Sequence, residues 1–490
     1  MPRLIVSFPA IIGTSGSDLV VGQEDNAFPA IGIEVLKNGV IDTQGGNDTI
    51  EGSGTGGESN TDFGGTGTGI ANSGIINAGR GNDTISGTGI GGEQNTSGSG
   101  GTGTGIANSG IINAGRGDDT ISGTGTGGSG YRGYTRPGIG ISNTQGGYIN
   151  GGDGKDSIFG TGQGGDNNYS IEDLNSAIGI NNTQDSRIDG GKGNDEITGT
   201  GIGVRNGPST GISNTEGSNI NGGEGNDSIS GTATGGFSYT GDGTGIFNSG
   251  GSVISGGKGN DSIVGIGKGS DAQPAPTADS PSANGIGISN SEGSVISGGQ
   301  GNDFISGTGT GGEGSYDTPW GDYEPGVGIG IVNSGIISLG DGKDTIIGTG
   351  ISQGIGIDNT NGIICGGGGD DTLTGYGANI GIQGGTIDGG NGNDYFKARR
   401  IDDSGNPISD QGGAIADVLI KGGCGADIFD VGYGNATING GWGWDKLILS
   451  DSKSDYTILG SSNNYTIKRD EFTLNVLNVE EIVFFGAAPQ

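Results

Sequence analysis

The chain of 490 residues has no histidine, one methionine, two cysteines and three tryptophans, and Phe, Tyr and Trp together make only 6% of it. Each shortage excludes something. Without His there is no His-ligated zinc site, no H-E-x-x-H protease helix and no Ser-His triad. Two cysteines cannot make a disulfide framework. No apolar run approaches the ~18 residues that a membrane-spanning helix needs. So few aromatics cannot build an ordinary globular core. Positive charge is scarce as well: 21 Lys and Arg stand against 55 Asp and Glu, a net charge of −34. A surface of that sign repels nucleic-acid phosphates and anionic lipid and attracts metal cations.

What the chain has in excess is glycine, 122 residues of it. Such a composition belongs either to a disordered chain or to a repeat fold whose turns need glycine. Isoleucine recurs here at fixed offsets from glycine, which selects the repeat. The stretch "INAGRGNDTISGTG" at 76–89 returns as "INAGRGDDTISGTG" at 112–125, changed only from Asn82 to Asp118, a position read as tolerant.

Two patterns alternate. One is G-I-x-N-[S/T], as in "GIANS" at 69–73 and "GISNT" at 140–144; the other is a glycine turn ending in Asp, followed by x-Ile. From the Ile of the first to the Asp of the second takes 13 to 15 residues, whereas from that Asp to the next such Ile takes 13 to 28. One half of the unit is fixed in length and the other absorbs every insertion, as in a solenoid whose loops leave from one corner. The shortest units, 23 and 27 residues, suit two or three short parallel strands per coil. The expected fold is all-β, a parallel β-helix or β-roll of about 13 coils with a C-terminal β cap. Ile70, Ile76 and Ile85 should point inward and stack on Ile106, Ile112 and Ile121. Asn72, Asn108, Asn143, Asn182, Asn214, Asn248, Asn290, Asn333 and Asn359 should form one column of bonded amides. Residues 1–40 are expected to hold an N-terminal cap and first coil, 41–445 the solenoid, and 446–490 the cap.

The glycine–aspartate turns carry the chemistry. "GGDGKDSIF" at 151–159, "GGKGNDEIT" at 190–198, "GGEGNDSIS" at 222–230 and "GGNGNDYFK" at 389–397 fit G-G-x-G-x-D-x-U-x with U apolar. Ca²⁺ takes six or more oxygens at ~2.3–2.6 Å. A glycine turn bares its carbonyls, an Asp adds charge, and two stacked turns together supply enough ligands. The nonapeptide resembles that of the hemolysin-type (RTX) calcium-binding repeat family, over most of the chain and most strongly from about 150 onward. The resemblance implies several Ca²⁺ ions held between stacked turns by Asp156, Asp195, Asp227, Asp261, Asp303, Asp344, Asp371, Asp394, Asp427 and Asp445. It extends to Asp83 and Asp119 in turns that read "AGRGND" and "AGRGDD", and more faintly to Asp48 and Asp18. It implies carbonyl ligands from the turn glycines, among them Gly152, Gly191, Gly223, Gly257, Gly299, Gly367, Gly390, Gly423 and Gly441. The family runs two such turns per ~18-residue coil, and only Asp427 to Asp445 keeps that spacing here. A single row of Ca²⁺ along one edge is therefore expected.

Residues 446–490 lose glycine and gain alternation, as in "YTIKRDEFTLNV", which suggests strands that blunt the last coil. This tail resembles the C-terminal cap of RTX proteins, where an uncleaved type I secretion signal lies. The resemblance implies export without an N-terminal signal peptide and folding on calcium outside the cell, at the cell surface. Cys365 and Cys424 belong to turns two coils apart, ~9–10 Å, beyond the ~7 Å limit for a disulfide, and free thiols are expected. Loops at the variable corner carry Tyr131, Tyr134, Tyr316, Trp320 and Tyr323, a possible surface for cell-surface polysaccharide or for other copies of the chain.

No convergent catalytic cluster is visible, and the expected role is non-enzymatic: a secreted calcium-binding protein with a structural, surface-layer or adhesive role. The alternatives are a carbohydrate-binding adhesin using the aromatic loops, and a polysaccharide-modifying enzyme using a carboxylate pair on a β-helix.

Overall fold

The structure is a computed structural model that describes residues 2–484 except 62, 97, 131–135, 167–175, 205–206, 237–240, 272–281 and 319–320. Most coils run three short strands; near the C-terminus the first two merge, in Gly412–Cys424 and Tyr433–Trp442. In one three-strand coil they are Gly67–Asn72, Ile75–Arg80 and Thr84–Ile90; in the next they are Gly103–Asn108, Ile111–Arg116 and Thr120–Thr126. First and second strands of all coils join a 29-stranded sheet, and third strands stack into a 15-stranded one. Pairing between coils is parallel and in register, so Ile70 lies beside Ile106 and Ile106 beside Ile141. The fold is the parallel β-solenoid expected from the repeat. The thirteen Asp turns undercount its layers, because Leu19–Ala27 and Glu481–Phe484 add one third strand at each end.

The core follows from the register. Ile70, Ile76 and Ile85 are fully buried, as are their equivalents Ile141, Ile149 and Ile158 two coils on. Toward the C-terminus the third column enlarges to Phe396 and Phe429, stacked with ring centroids 5.1 Å apart. The opposite end of the cross-section is narrow and lined mostly by glycine, with a buried alanine in a few coils, such as Ala233 and Ala398. A β-carbon on Gly87 would strike the carbonyl of Gly105, and one on Gly89 that of Thr104. The glycines of "ISGTG" are thus strand residues facing inward where two sheets nearly touch. The coil is a wedge, wide at the isoleucines and closed by glycine backbone.

Two corners flank the wide end. At the first, Asn72 donates its amide to Asn108 Oδ1, and the relay continues through Asn143, Asn182, Asn214, Asn248, Asn290 and Asn333 to Asn359 at 2.7–2.9 Å per step. The second amide proton serves carbonyls, as from Asn214 to Val253 O at 2.9 Å. Both donors are used, which is why so polar a side chain can be fully buried. At the second corner lie the glycine–aspartate turns. The long insertions all leave the narrow end, between a third strand and the next first strand. Tyr131, Tyr134 and Trp320 fall outside the described residues, while Tyr316 and Tyr323 belong to an antiparallel pair, Ser315–Thr318 with Gly321–Tyr323.

At the C-terminus Thr457–Ser461, Asn464–Arg469 and Phe472–Leu477 form an antiparallel meander. Its last strand lies parallel on Tyr433–Trp442, and Glu481–Phe484 lies on Lys446–Leu449. Arg469 is held over the rings of Tyr433 and Tyr456 and paired with Asp451. Cys365 and Cys424 are free. They sit at different register positions, Cys365 beside Asp388 and Cys424 beside Asn391.

Candidate metal centre in the glycine–aspartate turns

Each turn has six positions, for example Gly151, Gly152, Asp153, Gly154, Lys155 and Asp156. Backbone geometry dictates the second and fourth. Gly152 and Gly154 have φ of 122° and 145°, which L side chains rarely adopt. The third points to solvent. The sixth, the Asp, turns inward and is buried.

These aspartates form one continuous ladder. The backbone N–H of Asp156 donates to Asp195 Oδ1 at 2.8 Å, that of Asp195 to Asp227 Oδ1 at 2.7 Å, and that of Asp227 to Asp261 Oδ1 at 2.7 Å. The same bond, at 2.6–2.9 Å, links every step from Asp18 and Asp48 through Asp83, Asp119, Asp303, Asp344, Asp371, Asp394 and Asp427 to Asp445. All twelve aspartates singled out from the sequence are therefore brought into one column, with Asp18 and Asp48 as its first two members.

The ladder uses half of each carboxylate. Oδ2 is buried and has no hydrogen-bond partner in any of the thirteen turns from Asp48 to Asp445. Burial without a full set of partners penalises the charged form. It pushes Asp119, Asp156, Asp371 and Asp427 up to about 7, and Asp195, Asp227, Asp261, Asp303, Asp344 and Asp394 to about 6. The donated N–H opposes that rise, and neighbouring ladder carboxylates add to it in most of the turns. A cation beside these carboxyls would offset the penalty of burying their charged form.

Beside each orphaned oxygen lies a carbonyl. A β-carbon placed on Gly256 would stand 2.5 Å from the carbonyl oxygen of Gly298 and 2.6 Å from Asp261 Oδ2. The same carboxylate-and-carbonyl pair lies against Gly151, Gly190, Gly222, Gly298, Gly366, Gly389, Gly422 and Gly440, so nine turns share this cradle. None of these first-position glycines has positive φ. Among the described residues no three His, Cys, Asp or Glu side chains converge as metal ligands. A hard cation would thus depend on backbone carbonyls together with the ladder carboxylates. Donors of that kind, with an unpartnered charged oxygen among them, fit Ca²⁺.

Three features escaped the sequence reading. The carbonyl lying against Oδ2 belongs to the first residue of the next turn, or to Asn478 after the last turn, whereas the motif drew attention to the second. The fifth position is not merely tolerant. Asn82 Oδ1 accepts the N–H of Asp118 at 3.1 Å and Asp118 Oδ1 that of Lys155 at 2.9 Å, so the exchange of Asn for Asp preserves an acceptor. The preponderance of Asn and Asp at that position was the available signal. Finally, Glu480 Oε2 accepts the N–H of Asp445 at 2.8 Å and closes the ladder from outside the repeat. No turn motif surrounds it, and no spacing could have marked it.

No protein-family model matches the chain, and no curated protein matches it.

Proposed function

We propose that the chain is a cation-stabilised structural solenoid of the hemolysin-type (RTX) kind, secreted and folded by Ca²⁺ outside the cell, with a non-enzymatic role at the cell surface. The observation that carries this reading is the buried file of thirteen carboxylate oxygens without a donor. A divalent ion supplies what they lack, and calcium-poor cytosol and calcium-rich exterior supply a switch. Ion binding to the folded chain alone adds about 2.7 kcal/mol per site at a hundredfold excess over Kd. Three isoleucines per coil fall short of the conformational entropy of ordering more than ~20 residues, so the ion has a thermodynamic part to play. Among the described residues no helix is long and apolar enough to cross a membrane. The test is far-UV circular dichroism during a calcium titration of chelator-treated protein: the β signal should grow with bound calcium, and a spectrum indifferent to chelator and calcium alike would refute the reading.

A second reading, glycan binding, has one observation of its own. A shallow trough of about 760 Å³ runs across the outer face of the second strands, floored by Asn77, Asn113 and Asn150 and edged by Arg80 and Arg116. The amides are linked, Asn113 to Asn77 at 2.9 Å and Asn150 to Asn113 at 2.8 Å. Asn113→Ala should abolish retention on a polysaccharide column if the trough holds sugar; unchanged retention excludes it.

A further inference from the structure

The thirteen turns share the aspartate ladder but not the residue at their first position. Nine carry glycine there. The remaining four carry Thr43, Ala78, Ala114 and Leu339, at positions that register places opposite the glycines. The side chains of Ala78, Ala114 and Leu339 belong to the hydrophobic core. Thr43 is buried too, and its hydroxyl donates to the carbonyl of Ala78 at 2.8 Å. That carbonyl is the counterpart of the one bared in the cradles.

Backbone conformation does not require glycine at this position, since its φ is ordinary and three other residue types occupy it. Nor does the spacing of the coils, which remain in register where methyl groups are present. What glycine leaves is access to two oxygens. At Gly256 any side chain would press on both the carbonyl of Gly298 and Asp261 Oδ2. A methyl or isobutyl group there covers them with hydrocarbon, and a threonine hydroxyl satisfies the carbonyl directly.

We infer that the first residue of each turn decides whether that turn takes a divalent cation. The file is then split in two: five sites from Gly151 to Gly298 and four from Gly366 to Gly440, interrupted by Leu339 and absent from the turns of Asp48, Asp83 and Asp119. This rests on the cation reading above and sharpens it, since the twelve aspartates chosen from the sequence include three whose turns are closed.

The experiment is calcium stoichiometry on the full chain by equilibrium dialysis with elemental analysis, for wild type, Ala114→Gly and Gly256→Ala. The expected counts are about nine, one more and one fewer. Asp119→Asn should leave the wild-type count unchanged, whereas Asp227→Asn should lower it. About thirteen ions in the wild type, or a count that Ala114→Gly does not raise, would overturn the inference and leave the cation reading standing. Zero ions in every variant would refute the cation reading itself. Because Gly256→Ala places a methyl against the backbone of the next turn, Ala114→Gly, which only removes atoms, gives the decisive arm.

Discussion

At their first position, the turns of Asp83 and Asp119 differ from those of Asp156 to Asp303 by one methyl group. Both sets have the same left-handed glycines, the same ladder bond and the same orphaned Oδ2. In the first set Ala78 and Ala114 extend the hydrophobic core into the corner; in the second, glycine leaves carbonyl and carboxylate bare. The contrast teaches that an aspartate column is first of all a way to tie coils together. Ion binding, on the inference drawn above, is a separate property set by the neighbour five residues upstream.

The strongest attempt to break the comparison is removal of calcium. Backbone amides of 151–303 and 366–445 should lose hydrogen-exchange protection in chelator, while those of 67–125 keep most of theirs. Mass-spectrometric exchange reads this directly, and a uniform loss along the chain would erase the distinction. Next in size are core deletions. Ile112→Ala and Ile254→Ala each remove a fully buried side chain and should cost about 2–5 kcal/mol. Thermal melts should show calcium recovering part of the loss for Ile254→Ala and little of it for Ile112→Ala.

A smaller effect separates the aspartates themselves. In calcium, Asp227→Asn should be destabilising by roughly the contribution of one site, about 2–3 kcal/mol. Asp83→Asn keeps the Oδ1 acceptor and removes a buried charge, so it should be neutral or stabilise by up to about 1 kcal/mol. Denaturant midpoints compare the two. The subtlest test is pH. Without metal, ladder carboxyls are raised in the folded chain from 3.8 to about 6–7, so the folded state binds more protons than the unfolded one. Their contribution is fully present below about pH 4 and is lost as pH rises through 6 to 7. Metal-free protein should therefore have a higher urea midpoint at pH 5 than at pH 8. Saturating calcium should reverse that trend, since protons then compete with the ion, and the reversal should vanish in a fragment-resolved readout of 67–125.

Much of this was legible in the sequence. Isoleucine and asparagine recur at constant offsets, and constant offset between identical residues is what parallel in-register stacking requires. The core columns, the amide column, the variable corner and the aspartate column all follow from that single relation. Cross-sectional shape does not. Nothing in "TISGTG" says that Gly87 faces a carbonyl across a closed wedge, because the partner, Gly105, is contributed by another coil through a connection of variable length. The first turn position was overlooked for a related reason. Its residue type varies among Thr, Ala, Gly and Leu, and only the surrounding oxygens show that the variation has a chemical meaning. Glu480 lies beyond the repeat, and its partnership with Asp445 depends on how the meander folds back.

The ladder also has two ends, and both are finished. At one, Asp18 turns its carboxylate onto its own loop, accepting the N–H of Thr14 at 2.6 Å. At the other, Glu480 takes the last N–H and also receives the amide of Asn463 at 2.7 Å. A periodic stack in which every layer offers what its successor wants is a template for endless accretion, with foreign chains docking on as new layers. Because its terminal rungs are spent on local partners, this ladder has no free rung at either end to offer a foreign chain.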